Sequence, residues 1–423
     1  MRQPASGRFV FSDWLPLLLA AGLLALFAYA TAPGLGGTSD SRYYLHAART
    51  WRETGLLLHP DGTAYRYWPP LFPLLLSGAH TLLRLRLLHA AALLGTLFFW
   101  SAVGRRLLPA RRAAALPLLL AFSASTLVLS RFVWSETVFG FLWAGYVWAL
   151  LRWLRTGSWL DFGLSAGLGC LLPLQHSLGL FLLAGTYAAL LLLPRPAVVP
   201  GRARRLLHGL LSGAGALLWQ MHVWPLPGPA GAYVNLGAGQ LLSSAADYGF
   251  VLLRWLLPLA AGWRAAVPAA LWAAGLLALL AALWPRQRAT DDYLYLADNS
   301  ADNLDLAGAA RRRLVGLRLL WAAALATLLL LLPATMFSRS GAGIYDAERY
   351  ATVLYPVLLL LVLHGWPASG PAAGPLARVG SLLSWRGLSR ALLLLWVLYA
   401  GLRTAHNARQ LHGQKPTAAW LPR

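Results

Sequence analysis

Only 14 of the 423 residues are Asp or Glu, and three of them, Asp40, Glu53 and Asp61, fall in one polar stretch. That stretch reads T-S-D-S-R-Y-Y-L-H-A-A-R-T-W-R-E-T-G from Thr38, then Y-R-Y-W-P-P-L-F-P-L-L-L-S to Ser77. A single positioned carboxylate is enough to take a proton from an attacking hydroxyl or amine, which makes this stretch the first place to look for a general base. Three further polar groups recur at the edges of apolar segments: Ser135 and Glu136 in R-F-V-W-S-E-T-V-F; Gln175, His176 and Ser177; and Arg339 with Tyr345, Asp346, Glu348, Arg349 and Tyr350. Ionisable groups at membrane depth are costly to solvate and default to functional candidates.

The elements that must position these groups follow from composition. With 58% hydrophobic and 12% charged residues, a mean hydropathy of +0.57 and repeated apolar runs of spanning length, the chain reads as an all-α polytopic membrane protein. The formal charge of +22 would suggest a nucleic-acid partner in a soluble chain. Here the basic residues sit in short loops between apolar runs, where they set orientation and meet anionic lipid, so nucleic acid is rejected. One cysteine, Cys170, leaves no disulfide framework and no cysteine metal site. No acid or histidine cluster has metal-ligand spacing, so no cofactor or metal is expected.

Eleven spans are drawn: 14–32, 87–104, 113–130, 133–151, 159–174, 177–193, 206–224, 265–284, 314–335, 350–366 and 388–402. The first is read as an uncleaved anchor, because its apolar run exceeds a signal-peptide core and many spans follow. The first outer loop, 33–86, is expected to carry two juxtamembrane helices. One is capped by Thr38, Ser39 or Asp40 and ends at Gly55, with Arg42, His46, Arg49 and Glu53 on one face and Tyr44, Ala47, Ala48 and Trp51 on the other. The other runs over 70–83, too short to cross at ~1.5 Å per residue. Keeping it out of the count places Arg105, Arg106, Arg111, Arg112, Arg152, Arg155, Arg202, Arg204, Arg205 and Arg311 to Arg313 on the cytoplasmic side, as the positive-inside rule requires. The N-terminus is then inside, and the Asp40 loop lies outside the cytoplasmic membrane. Residues 248–262 read as a surface helix interrupted by Arg254, 285–313 as a cytoplasmic loop, 1–403 as one membrane domain and 404–423 as a short tail.

In order along the chain, T-S-D-S-R-Y-Y, W-P-P-L-F-P-L-L-L, S-E-T-V-F and E-R-Y-A-T-V-L-Y-P-V-L-L-L resemble the membrane-embedded C-type (GT-C) glycosyltransferases. The branches they resemble are the bacterial relatives of protein O-mannosyltransferases and the lipid A aminoarabinose transferases, over roughly residues 10–365. The resemblance implies an inverting glycosyltransferase with a polyprenyl-phosphate-linked sugar donor, membrane lipid around it, and a lipid-linked, glycan or protein acceptor. It places the catalytic base on Asp40. Two departures stand out: many relatives carry Asp-Glu where this chain has Asp40-Ser41, and several carry Lys or Arg at the turn that is Gln175-His176 here. A phosphate leaving group needs positive charge and no general acid, and Arg66, His176, Arg339 and Arg349 are the candidates, arginine being favoured by its two-pronged donor geometry.

Plainer readings stand beside these. Asp40 as a helix cap, Glu136 as a structural hydrogen-bonding group, Glu53 paired with Arg49, and His46 and His59 as interfacial residues all need no chemistry. Tyr43, Tyr67 and Trp68 are belt residues or line the pocket with Glu136, Gln175, Tyr345 and Tyr350. Asp346 and Glu348 could serve acceptor, donor phosphate or a cation. The rival class is a transporter or flippase of a lipid-linked substrate, which would place its ionisable groups near mid-membrane.

Overall fold

The computed structural model describes residues 11–192, 200–226, 237–285, 302–336, 343–366 and 385–414. Among them the chain is helical, with two isolated β-bridges and no strand. The fold is therefore the expected polytopic all-α membrane class. Seven segments are long and apolar enough to span: Trp14–Thr31, Leu82–Leu107, Arg112–Arg131, Glu136–Thr156, Ala310–Ala334, Ile344–Gly365 and Gly387–Gly413. The remaining expected spans coincide with helices that fall short in length or apolarity. Leu178–Leu192 has 15 residues and Ala269–Ala282 has 14, ~21–23 Å against a ~30 Å core, while Arg202–Val223 opens on three arginines.

In chain order, α1 is Phe11–Thr31, α2 Ser39–Thr54, α3 Leu71–Gly78, α4 Leu82–Leu107, α5 Ala110–Ala121, α6 Ala124–Arg131, α7 Glu136–Thr156, α8 Trp159–Gln175, α9 Leu178–Leu192 and α10 Arg202–Val223. They are followed by α11 Ala238–Leu256, α12 Trp263–Ala266, α13 Ala269–Ala282, α14 Asp302–Met336, α15 Ile344–Ala351, α16 Tyr355–Gly365 and α17 Trp385–Gly413.

Several boundaries differ from the sequence reading for local reasons. The helix expected over 70–83 is only eight residues, Leu71–Gly78, ~12 Å long and unable to cross. It stops because Thr81 caps a new helix, accepting from Arg84 N, so α4 begins at Leu82 rather than 87. The expected span over 113–130 is the spanning segment Arg112–Arg131, made of two helices that meet at Phe122, where Ser123 accepts the Thr126 N–H and starts α6. Arg254 interrupts nothing: α11 begins at Ala238 and buries Ala246, Tyr248, Phe250 and Val251. The tail expected from 404 is helical to Gly413, and α14 begins at Asp302, inside the expected loop. The rest of that loop, with Asp291, Asp292 and Asp298, lies outside the described residues.

Water does not drive these helices together inside a bilayer, so small residues and interhelical hydrogen bonds must. Helices α7 and α8, α8 and α10, α4 and α7, α9 and α14, and α11 and α13 form the main packed pairs. Gly215 on α10 sits so close to α8 that a Cβ would overlap the carbonyl of Cys170. Nearby, Ser165 of α8 and His208 of α10 share a hydrogen bond of 2.7 Å, and Tyr187 of α9 donates to Ser212 at 3.0 Å. Gly215→Ala should therefore cost about 1–3 kcal/mol by overpacking, whereas Gly213→Ala, whose Cβ meets nothing within 4 Å, should be neutral or stabilising by up to ~1 kcal/mol. Thermal unfolding of the two variants in detergent distinguishes them, and equal midpoints would remove the close contact.

Candidate active site

Asp40 stands in the first turn of α2. Thr38 is the N-cap, and the hydroxyl of buried Ser41 accepts the Thr38 N–H at 3.0 Å. Ser41 thus closes a capping box with Thr38, and Asp40 stands one position before it. Gly55 ends the helix at φ 73°, a left-handed conformation that glycine adopts without strain. Ser41, Tyr44, Ala47 and Ala48 make the buried face, but Trp51, expected on it, is 42% exposed.

A short backbone clamp brings the second acid alongside. Gly36 N–H donates to Arg131 O at 2.7 Å, and Val133 N–H donates to Gly36 O at 3.1 Å. A Cβ on Gly36 would lie 2.6 Å from the Phe132 ring, so only glycine permits this approach. The clamp sets Trp134 against Thr38, to whose hydroxyl the indole donates at 2.8 Å. It also places Glu136, the first residue of α7, beside Asp40.

Arg349 of α15 joins the two. It donates from Nη1 to Asp40 Oδ2 at 2.7 Å and from Nε to Glu136 Oε1. Its guanidinium lies 4.5 Å from the Trp134 ring centroid and 5.5 Å from that of Tyr350. The Arg349 side chain is 9% exposed, Glu136 is fully covered, and Asp40 is 24% exposed, so the group opens to its surroundings on the Asp40 side. The two contacts use Nη1 and Nε of Arg349 and a single oxygen of each carboxylate.

His176 follows α8 and approaches Glu136 Oε1 with Nε2 at 3.5 Å. Its Nδ1 accepts the Leu178 N–H at 3.1 Å, which leaves Nε2 as the protonated, donating nitrogen. Gln175 donates to Ser135 O at 3.0 Å, holding the α8–α9 turn against the start of α7. Ser135 donates to Glu136 Oε2 at 3.3 Å. Burial, with the carboxylates of Glu136 and Asp40 nearby, pushes the Tyr44 phenol far above its ordinary range, so it remains a donor. Asp346, in the first turn of α15, lies in the field of Arg349, Asp40 and Glu136.

Other expected site residues sit elsewhere. Tyr43 and Trp68 pack 5.0 Å apart in an aromatic cluster with His59, Tyr65, Tyr44 and Phe72, which fastens the 57–72 segment to α2. Tyr67 and Tyr345 are exposed, at 51% and 90%. Arg66 donates to Leu226 O at 2.7 Å in a separate cleft with Tyr67, Ser177, Trp219 and Gln220. Glu348 pairs with Arg254 at 3.9 Å and Arg403 at 3.5 Å, away from Asp40. Arg339 lies outside the described residues. Glu53 meets Arg49 at 3.9 Å, as the i, i+4 spacing implies. Asp61 forms a turn of its own: its Oδ1 accepts from the Thr63 N–H at 3.0 Å and hydroxyl at 2.6 Å, which holds this exposed carboxyl below its usual range. Trp134 and Tyr44 join the site without having been expected there, although Trp134 stands two residues before Glu136 in one of the four motifs.

A narrow apolar crevice of about 40 Å³ is lined at once by Glu136 and Thr137 and by Leu23, Leu97, Trp100 and Leu129. Of the charged group, Glu136 thus borders an apolar crevice.

By sequence, the chain matches no protein-family model and no curated protein. Its fold is shared with solved structures of one membrane protein. It is similar to the crystal structure of ArnT from Cupriavidus metallidurans bound to undecaprenyl phosphate, with a TM-score of 0.53 and 14% identity over 95% of this chain and 76% of that one. The apo structure of the same ArnT gives 0.54 and 15% over the same shares. ArnT is a lipid A aminoarabinose transferase, one of the branches the four motifs resemble, and at these identities the likeness is one of fold.

The buried ion pair makes a stability prediction. Glu136→Ala strands Arg349 without its covered partner and should cost about 3–5 kcal/mol. Asp40→Asn keeps a hydrogen-bond acceptor at the open side and should cost ~1 kcal/mol. Chemical or thermal unfolding in detergent checks the order, and a Glu136→Ala protein as stable as Asp40→Asn would show that the pair is not the anchor.

Proposed function

We propose that this chain is a glycosyltransferase that moves a sugar from a polyprenyl-phosphate donor to a lipid-linked, glycan or protein acceptor at the outer face of the cytoplasmic membrane. The observation that carries the reading is the convergence of Asp40, Glu136 and Arg349, from three distant segments, into one half-open ion-pair group whose Glu136 borders an apolar crevice. A donor with an isoprenoid chain, a phosphate and a sugar needs an apolar wall, a cation and a polar mouth in that order. The ArnT fold, one structure of which holds undecaprenyl phosphate, supports the same donor class.

Asp40 is the base in this reading. Its Oδ2 is held by Arg349, and Oδ1 would serve the acceptor hydroxyl or amine. Both oxygens of Glu136 are engaged, one by Arg349 and His176 and the other by Ser135. Of the two carboxylates that grip Arg349, one therefore positions and the other reacts. One reacting carboxylate fits a single displacement: the acceptor oxygen bonds to the anomeric carbon as the bond to phosphate breaks, the proton passes to Asp40, and the configuration inverts. Arg349 Nη2 is the donor left for the phosphate, which leaves as an anion and needs no proton.

The central test is transfer from a polyprenyl-phosphate sugar in liposomes. Asp40→Asn should lose roughly 10²- to 10⁴-fold in rate while folding normally, and Asp61→Asn, in its own turn, should keep the parent rate. If Asp346→Asn is inactive and Asp40→Asn is not, the base has been assigned to the wrong acid. Arg349→Lys keeps a charge but cannot hold two carboxylates at once, and should lose far more transfer than Arg42→Lys.

Orientation has its own check. Cysteine at exposed Glu53 should react with an impermeant thiol reagent added to intact cells, and cysteine at Arg155 should not. The reverse pattern would place the candidate site in the cytoplasm and overturn the proposed topology.

A further inference from the structure

Beside the candidate active site, on the other face of α2, lies a cleft of about 340 Å³ walled by Arg42, His46, Arg49, Arg52 and His80 over a floor of Leu45, Ala48 and Leu76. The four basic residues of α2 follow at i, i+4, i+7 and i+10, which keeps them on one helical face. Their charge is barely compensated. Glu53 meets Arg49 at 3.9 Å with both side chains more than half exposed, a geometry of little energetic weight. Arg42 and Arg52 make no ion pair among the described residues. Arg84, at the start of α4, donates to His80 Nδ1 at 3.4 Å and adds a further cation at the rim.

The level of this cleft relative to the bilayer can be read from α4. Three residues after His80 comes Leu83, 66% exposed, and then Leu87, 59% exposed, at the entry of a helix of spanning length. Side chains of this kind, bare in the isolated chain, face lipid in a membrane. The cleft therefore sits where α4 enters the apolar layer, at headgroup depth. On the proposed topology this is also the side where the positive-inside rule disfavours arginine, so three arginines on one helix face, only Arg49 of them paired among the described residues, run against the orientation signal.

We propose that this cleft binds the headgroup of an anionic phospholipid, with the phosphodiester held by Arg42, Arg49 and Arg52 and the upper acyl region against Leu45 and Leu76. Arginine suits a phosphate because its planar fork offers paired donors. A free phosphate would use the same cations but not the apolar floor. The site is separate from the transfer reaction, and the inference stands whether or not the chain transfers sugar. Its consequence is that α2, which carries Asp40, is tied at its far end to the surrounding lipid.

The test uses the full chain in mild detergent, with thermal unfolding and native mass spectrometry after addition of dioleoylphosphatidylglycerol or dioleoylphosphatidylcholine. Phosphatidylglycerol should raise the unfolding midpoint more than phosphatidylcholine and remain bound in the spectrometer. The triple variant R42Q/R49Q/R52Q should bind it about a hundredfold more weakly, from about fivefold for each arginine near an anionic surface, with the midpoint in phosphatidylcholine unchanged. R202Q/R311Q/R312Q removes the same charge elsewhere and should bind as the parent does. The single variant R52Q, about fivefold weaker by the same reasoning, serves if the triple variant does not fold. Equal stabilisation by the two lipids, or equal loss in both triple variants, would overturn the proposal. So would a full midpoint rise from inorganic phosphate at matched concentration, which would mark a free-phosphate site instead.

Discussion

The structure turns on one buried guanidinium. Arg349 would be prohibitively costly inside the bundle alone, and Glu136, fully covered, would be equally so. Each is tolerated because the other is there. The pair also decides which backbone segments meet: α7 must begin where α15 passes, and the Gly36 clamp must hold Trp134 and Thr38 within reach. Adding Asp40 leaves two carboxylates for one guanidinium. That excess is offset by position, since Asp40 and Glu136 both occupy first turns of helices, where unpaired N–H groups carry partial positive charge.

Why the charged group lies at helix ends follows from the solvent. A bilayer offers nothing to an unpaired backbone group, so spans are built of helices and polar chemistry is displaced to where those helices begin and stop. Four such ends converge here: the start of α2, the start of α7, the turn between α8 and α9, and the short helix α15 before α16. The helices that carry Glu136 and Arg349 are the most thoroughly buried of the seven spanning segments. A rigid surround of this kind is what a positioned base requires, because a carboxylate on a mobile loop would lose the orientation on which proton transfer depends.

Much of this arrangement is legible in the sequence because acids are scarce. When so few carboxylates serve so long an apolar chain, those at segment edges stand out, and Asp40, Glu136 and Arg349 are marked by position alone. Their pairing is not legible, because 213 positions separate Glu136 from Arg349 and nothing local links them. Glu348 shows the limit from the other side. It adjoins Arg349 in sequence, yet one residue along a helix turns it about 100°, toward Arg254 and Arg403. Helix boundaries are lost to single hydroxyls: Ser123 breaks an apolar run that reads as one span, and Thr81 starts α4 early by accepting one N–H. Such caps depend on backbone geometry, which hydropathy does not record.

The charge count also constrains how a phosphate could enter. Two carboxylates share one guanidinium here, and they would also repel an approaching phosphate anion. The repulsion acts mainly on the Asp40 side, where the group is open. A phosphate that takes Arg349 Nη2 must then either weaken the bond to Asp40 or draw in another cation. The first outcome has a chemical use. On the proposed reading, an Arg349 that shifts its charge toward the phosphate would leave Asp40 with part of its partner lost, and so a stronger proton acceptor. In the proposed reaction a single guanidinium would couple departure of the leaving group to strengthening of the base. A lysine in its place, with one compact ammonium, could not reach both partners from the same backbone position.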